Sequence, residues 1–202
     1  MATARRPTRD EQRARTRTDL LAAAATVFAR NGYHATSVDM VAEAAGYTKG
    51  AVYSNFSSKE DLFLALADEH LDQAVATLEE IVSTTEPAAR ADVLGERRGK
   101  MHVFDQDWHL LETEFVLYAA RNEHLRAVLA ERQERTRRRI ADLVSRHLGD
   151  LGTDAPVDVD DLARILVATG DGLTVMALAE PETDGGRLLA TLLHLLERAL
   201  VR

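Results

Sequence analysis

The sequence predicts an all-α chain, with an N-terminal three-helix helix-turn-helix domain ahead of a larger helical domain and about nine helices in total. Three observations carry that expectation. Ala and Leu dominate the 202 residues while aromatics make up 5%, a composition that favours helices over sheets. Apolar residues recur three and four positions apart along most of the chain, the helical period. Between Thr36 and Phe63, two short helical patterns flank a tight turn and lead into the capped start of a third helix.

Composition also limits function. Cysteine is absent, which rules out disulfides and thiolate chemistry and suits a reducing cytoplasm, the expected location. No apolar run of signal-peptide type follows the basic first residues, and no stretch approaches bilayer-spanning length, so no membrane partner is expected. Net charge is −8, but it is unevenly spread. Residues 1–60 hold nine Lys/Arg against six Asp/Glu, and the remainder carries −11. A locally basic end on an acidic body suits phosphate binding at that end.

In chain order, residues 1 to about 10 lack apolar periodicity and are expected to be a disordered arm. Arg5, Arg6, Arg9, Arg13, Arg15 and Arg17 would attract a polyanion from there. Helix 1 is expected from near Asp10 to about Arg30, burying Leu21, Ala24, Ala25 and Phe28 and stopping at Asn31-Gly32. Thr36 or Ser37 caps helix 2, whose stripe is Val38, Val41, Ala42 and Ala45, and Gly46 stands where a left-handed residue is wanted. Thr48 caps a short helix 3 in which Val52 and Phe56 share a face. Lys49, Gly50, Tyr53 and Ser54 are left pointing outward near its front, where a recognition helix meets the major groove. Ser57 with Glu60, or Ser58 with Asp61, opens a fourth helix of about six turns.

This stretch resembles the N-terminal signature of the TetR family of one-component transcriptional regulators. The match runs without a gap from about Thr18 to Phe63, around a core reading AGYTKGAVYSNFSSKEDLF. The resemblance implies a DNA-binding helix-turn-helix domain at 1–58 and a helical effector-binding and dimerisation domain at 59–202. It also implies double-stranded operator DNA, a second copy of the chain and a small-molecule effector as partners, with no cofactor and no metal. The residues expected to meet DNA are Thr36, Ser37, Thr48, Lys49, Gly50, Ala51, Tyr53, Ser54 and Lys59. Gly50 lets the backbone approach, Lys49 suits a phosphate or a guanine edge, and Ala51 suits a thymine methyl. Tyr53 and Lys59 match family positions that hold phosphates. His34, just before helix 2, could reach a phosphate or simply occupy an exposed turn.

Beyond helix 4, Ala88 to Glu96 is expected to form a short helix broken by Gly95 to Gly99. Longer helices are expected from Trp108 to about Ala120 and from Glu123 to Leu148. Met101, Phe104, Trp108, Leu111, Phe115 and Tyr118 concentrate aromatics in a chain poor in them. They read either as the wall of an effector pocket or as ordinary core. His102, Asp105, Asp107, His109, Glu112 and Glu114 have a composition suited to metal or hydrolytic chemistry, but only His109 and Glu112 share a clean i, i+3 spacing. Helix capping and a solvated face are the alternative. The Arg132 to Arg139 run interleaves with Glu131 and Glu134 and reads as a solvated face. The last two helices are apolar on more than one side, so one face should meet a second copy. Leu166, Leu173, Met176, Leu189, Leu192, Leu193 and Leu196 are the candidates for that dimer interface. A dimerising domain without an effector, or a helical enzyme using the His102 to Glu114 cluster, are the rival readings.

Overall fold

The computed structural model describes residues 8–98, 105–153 and 157–200. Among these are nine α-helices, one 3-10 turn and no strand, as the sequence predicts. The chain divides into two compact units, Met1–Glu69 and His70–Arg202.

The first unit is a three-helix head closed by the start of a fourth helix. Helix α1 (Arg9–Ala35) begins at Thr8, whose hydroxyl accepts from Glu11 N while Thr8 N donates to the Glu11 carboxylate at 2.7 Å. This reciprocal box starts the helix one residue earlier than expected and places Arg9 to Arg17 on it. Arg5 and Arg6 lie outside the described residues. Leu20, Leu21, Ala24, Val27 and Phe28 form the buried face. Gly32 (φ 75°) interrupts the helical backbone near the end, a conformation costly for any other residue. Helices α2 (Val38–Ala45) and α3 (Lys49–Tyr53) follow, joined through Gly46 at φ 71°. Gly46 N donates to Glu43 O and Tyr47 N to Ala42 O, a Schellman closure that fixes the turn.

Helix α4 (Lys59–Thr84) begins at Ser58, whose hydroxyl accepts from Asp61 N, so the Ser58/Asp61 alternative is the one realised. Its first turns belong to the head. Phe63 packs edge-on to Phe28 and Tyr33 at 5.4 and 5.3 Å between ring centroids, and Leu62 and Leu66 are buried. The first compact unit runs to Glu69.

In the second unit, α4 continues beside α5 (Arg90–Arg97), α6 (Gln106–Ala119), α7 (Glu123–Asp150), α8 (Val159–Ala179) and α9 (Gly185–Leu200). Asp105, Asn122 and Asp158 cap α6, α7 and α8 through their side-chain oxygens. Gly95 does not break α5. It lies within the helix because α9 crosses there: a Cβ on Gly95 would stand 2.8 Å from Gly186 O, and one on Gly186 would stand 2.2 Å from Gly95 O. Arg98, almost wholly buried, donates to Gly170 O and Thr174 Oγ1 and so ties the end of α5 to α8. The arginine run on α7 is more than a solvated face. Arg135 and Arg138 pair with Glu131 and Glu134, but Arg137 reaches Asp160 of α8 and Arg139 reaches Asp72 of α4.

One expectation needs correcting. Among the described residues α8 is long and apolar enough, by length and composition, to cross a bilayer. It packs against α6, α7 and α9, and 33% of its most apolar window is buried.

Candidate functional site

Two features of the molecule have the character of sites, an exposed short helix in the head and an apolar cavity in the second unit. In the head, α3 turns Val52 inward, fully buried, and leaves Lys49, Gly50, Tyr53 and Ser54 exposed. Thr48 caps it by accepting from Ala51 N at 3.2 Å, and Ser37 caps α2 by accepting from Met40 N at 3.3 Å. Ala51 is half-buried. The C-terminal end of α3 is held from α1. Arg13 donates to Ser54 O, and Arg17 donates to Asn55 O while lying 4.4 Å over the Phe56 ring. Phe56 is therefore core, and these two arginines tie the end of α3 to α1.

Gly50 has no internal reason to be glycine. Its backbone is not in the left-handed region, and an added Cβ would meet only Thr48 Oγ1 at 3.8 Å. Glycine inside a helix is unfavourable by about 1 kcal/mol against alanine. The open space in front of Gly50 is what a close approach by another molecule needs.

Lys49 and Asp39 form a 2.7 Å ion pair across the turn, and that hydrogen bond, with the carboxylate's charge, raises the Lys49 pKa. Sequence reasoning missed this pair, which joins α2 to α3 ten residues apart. Tyr47, also missed, donates to Asp19 at 2.9 Å and fixes the turn to α1.

Two expected DNA contacts sit differently from expectation. Thr36 is buried, its hydroxyl donating to Gly32 O at 2.8 Å, so Ser37 alone offers a hydroxyl at the front of α2. Lys59 donates to Thr36 O at 2.7 Å and His34 O at 3.2 Å and lies 4.4 Å over the Tyr33 ring. Burial lowers its pKa, opposed by Glu60. Its ammonium is thus engaged at the end of α1, and the exposed His34 contributes its carbonyl there.

The second unit contains a cavity of ≈ 240 Å³ between α4, α5, α7, α8 and α9. Its wall is overwhelmingly apolar, with Leu71, Leu78, Ile140, Leu143, Leu166 and Leu193 contributing from four of those helices. The aromatic stretch expected as a pocket wall is not among its lining residues. Trp108, Leu111 and Phe115 are buried on α6, Tyr118 is half-exposed, and Met101 and Phe104 lie outside the described residues. Asp105 is a helix cap, and among the described residues no three His, Asp or Glu side chains are grouped to hold a metal. His102 lies outside them.

Of the expected dimer residues, Leu166, Leu189, Leu193 and Leu196 line the cavity and Leu173 is buried within the unit. Met176 is exposed and Leu192 half-exposed. The apolar side chains that do stand outward on these helices are Ile165, Val175 and Leu195, each more than half exposed. The signal for them is their phase, since they fall between the positions of the inward stripe.

Comparison with known proteins agrees with this geometry. Residues 20–66 match the family described as bacterial regulatory proteins, tetR family, and residues 102–201 match the C-terminal domain of the BetI-type transcriptional repressor. The chain is 29% identical over 184 residues to the HTH-type transcriptional repressor AcnR of Corynebacterium glutamicum, covering 90% of each. It is 42% identical over 77 residues to the HTH-type transcriptional activator FasR of Mycolicibacterium smegmatis, covering 38% of this chain and 33% of that protein. Its fold resembles that of FadR from Bacillus subtilis, solved in complex with stearoyl-CoA, with a TM-score of 0.70 at 22% identity over 89% of this chain and 96% of that one. The exposed, self-capped α3 and both family matches lead to one conclusion: the chain belongs to the TetR family and is a DNA-binding transcriptional regulator.

Proposed function

We propose that the protein is a cytoplasmic homodimeric repressor that grips a palindromic operator with α3 of each protomer and is released by a small, largely apolar effector. It is not an enzyme in this reading, and it requires no cofactor. The observation that carries the DNA-binding half is Gly50, a helical glycine facing open space between exposed Lys49 and Tyr53. The two reading helices would be spaced near one duplex turn, about 34 Å, or a multiple of it. The exposed stripe of Ile165, Val175, Met176 and Leu195 supports a two-fold pairing through α8 and α9.

The cavity supports the effector half and favours it over a domain that only dimerises. Leu71, Ala74, Leu78 and Ile81 line it from the same helix whose first turns complete the head's core. An occupant that shifts α4 would change how two heads fit one DNA spacing, so a small displacement suffices.

The test is binding of the full chain to a selected operator, followed by anisotropy. Affinity should fall steeply with salt, and substitutions at Lys49 or Ala51 should change the preferred sequence, by about 1–3 kcal/mol per altered contact. Lys59→Ala should weaken binding on every sequence alike. Unchanged operator preference in the Lys49 and Ala51 variants would overturn this reading face. Ala74→Leu, which fills the cavity, should leave operator binding intact and abolish release by apolar ligands. Release that survives it would move the effector site elsewhere.

A further inference from the structure

On the wall of the apolar cavity, one carboxylate, Asp171 of α8, lacks a hydrogen bond or ion pair among the described residues. The other charged groups on the wall are already matched. Arg90 is held by Asp150 at 2.7 Å and by Thr85 O and His147, and His147 in turn bonds Glu197 at 3.1 Å. Arg90 lies at the last turn of α7, whereas Asp171 is set against side chains of α6. There Glu112 stands close enough to feel its charge, and His109 is near enough to oppose it partly.

Glu112 and Asp171 share a second property. Each is open to small molecules, yet the protein around it desolvates it and raises its carboxyl above the ordinary range. Asp171 adds to the rise at Glu112, opposed by Arg132 and by a hydrogen bond from Trp108. Of the two, Asp171 lines the cavity, and Glu112 stands beside it on α6 without lining the wall. Beside it, Trp108 stacks on His70 at 3.9 Å between ring centroids, which adds an aromatic surface next to the carboxylates.

Resting on the reading of the cavity as the effector site, we infer that its ligand is an amphipathic cation, with an apolar body among the leucines and an amine head at Asp171 backed by Glu112. A fatty carboxylate would set like charge against two acids in a poorly hydrated place, and a neutral alcohol would leave Asp171 uncompensated. A protonated amine relieves both costs.

The probes are octylamine, 1-octanol and octanoate, which share one chain and differ in the head. Trp108, the only tryptophan, reports binding by fluorescence. Octylamine should bind the full-length protein at least tenfold more tightly than octanol, with octanoate weakest. Asp171→Asn should bring octylamine to the octanol level while leaving octanol unchanged, and Glu112→Gln should reduce the preference in part. Octanoate binding as tightly as octylamine, an amine preference that survives Asp171→Asn, or no binding of any probe would each overturn the inference. If octylamine binds selectively but does not release operator DNA, the ligand class stands and the ligand-responsive repressor is the reading that fails.

Discussion

Gly50 in the head and Gly186 in the second unit are both helical glycines, and their surroundings differ in kind. Gly186 is buried, and a methyl there would lie 2.2 Å from the carbonyl oxygen of Gly95. Gly50 faces open space, with the nearest atom to such a methyl 3.8 Å away. The first glycine is explained entirely by the chain's own packing. Gly50 has no such explanation in the chain's own packing, which is what supports the operator contact proposed for it. Packing accounts for Gly186 and not for Gly50, a distinction that sequence alone does not make.

The sharpest way to break this comparison is Gly186→Ala. An alanine normally stabilises a helix, but here backbone must move from backbone. The expected cost is about 3 kcal/mol, read as a fall of roughly 10 °C in the melting temperature. A neutral result would mean that α5 and α9 are not in contact at this point. Ser37→Ala comes next, at about 1 kcal/mol for the loss of the α2 cap, measured by urea unfolding. Thr36→Ala should also destabilise, through the buried bond to Gly32 O, by about the same amount.

Gly50→Ala sharpens the contrast because the signs of its two effects oppose. Stability should rise by up to about 1 kcal/mol while operator affinity falls. Unchanged affinity would remove the external reason for that glycine. The smallest expected effect belongs to His194, which joins Asp92 of α5 to Glu197 of α9. The hydrogen bond it donates to Asp92, with both carboxylate charges, raises its pKa above the ordinary 6.5. Its contribution to stability is therefore complete below about pH 6.5 and lost as pH rises through the raised value. Melting temperatures of wild type and His194→Gln should converge above that range and separate below it.

Much of the head was legible because its signals are local. Gly46, Thr48 and the Ser58/Asp61 cap each act within three or four residues, so spacing alone identifies them. Thr36 and Ser37 are adjacent hydroxyls, and only the packing of α1 against α2 decides that one is buried and the other caps. Lys59 shows the same limit. Its partners lie more than twenty residues back, at the end of α1, so a family position expected to hold phosphate first holds the protein's own carbonyls.

The second unit was legible in outline only. Helix number and approximate boundaries follow from period and caps, but the cavity depends on five helices meeting. Leu166 and Leu193 line it while Ile165 and Leu195, one and two residues away, stand outside. A helix that is apolar on more than one side does not say which side faces in. The aromatic residues of α6 were conspicuous by composition, yet Trp108, Leu111 and Phe115 are largely buried.

The carbonyl contact between Gly95 and Gly186 also limits how the second unit can move. Two helices held at backbone distance cannot slide or roll past each other without collision, because no flexible side chain lies between them to absorb the change. The α5–α9 pair is thus a fixed fulcrum, with Arg98 extending it to α8 at Thr174. By contrast, α4 and α7 meet the cavity through leucines, isoleucines and valines, side chains that can change rotamer.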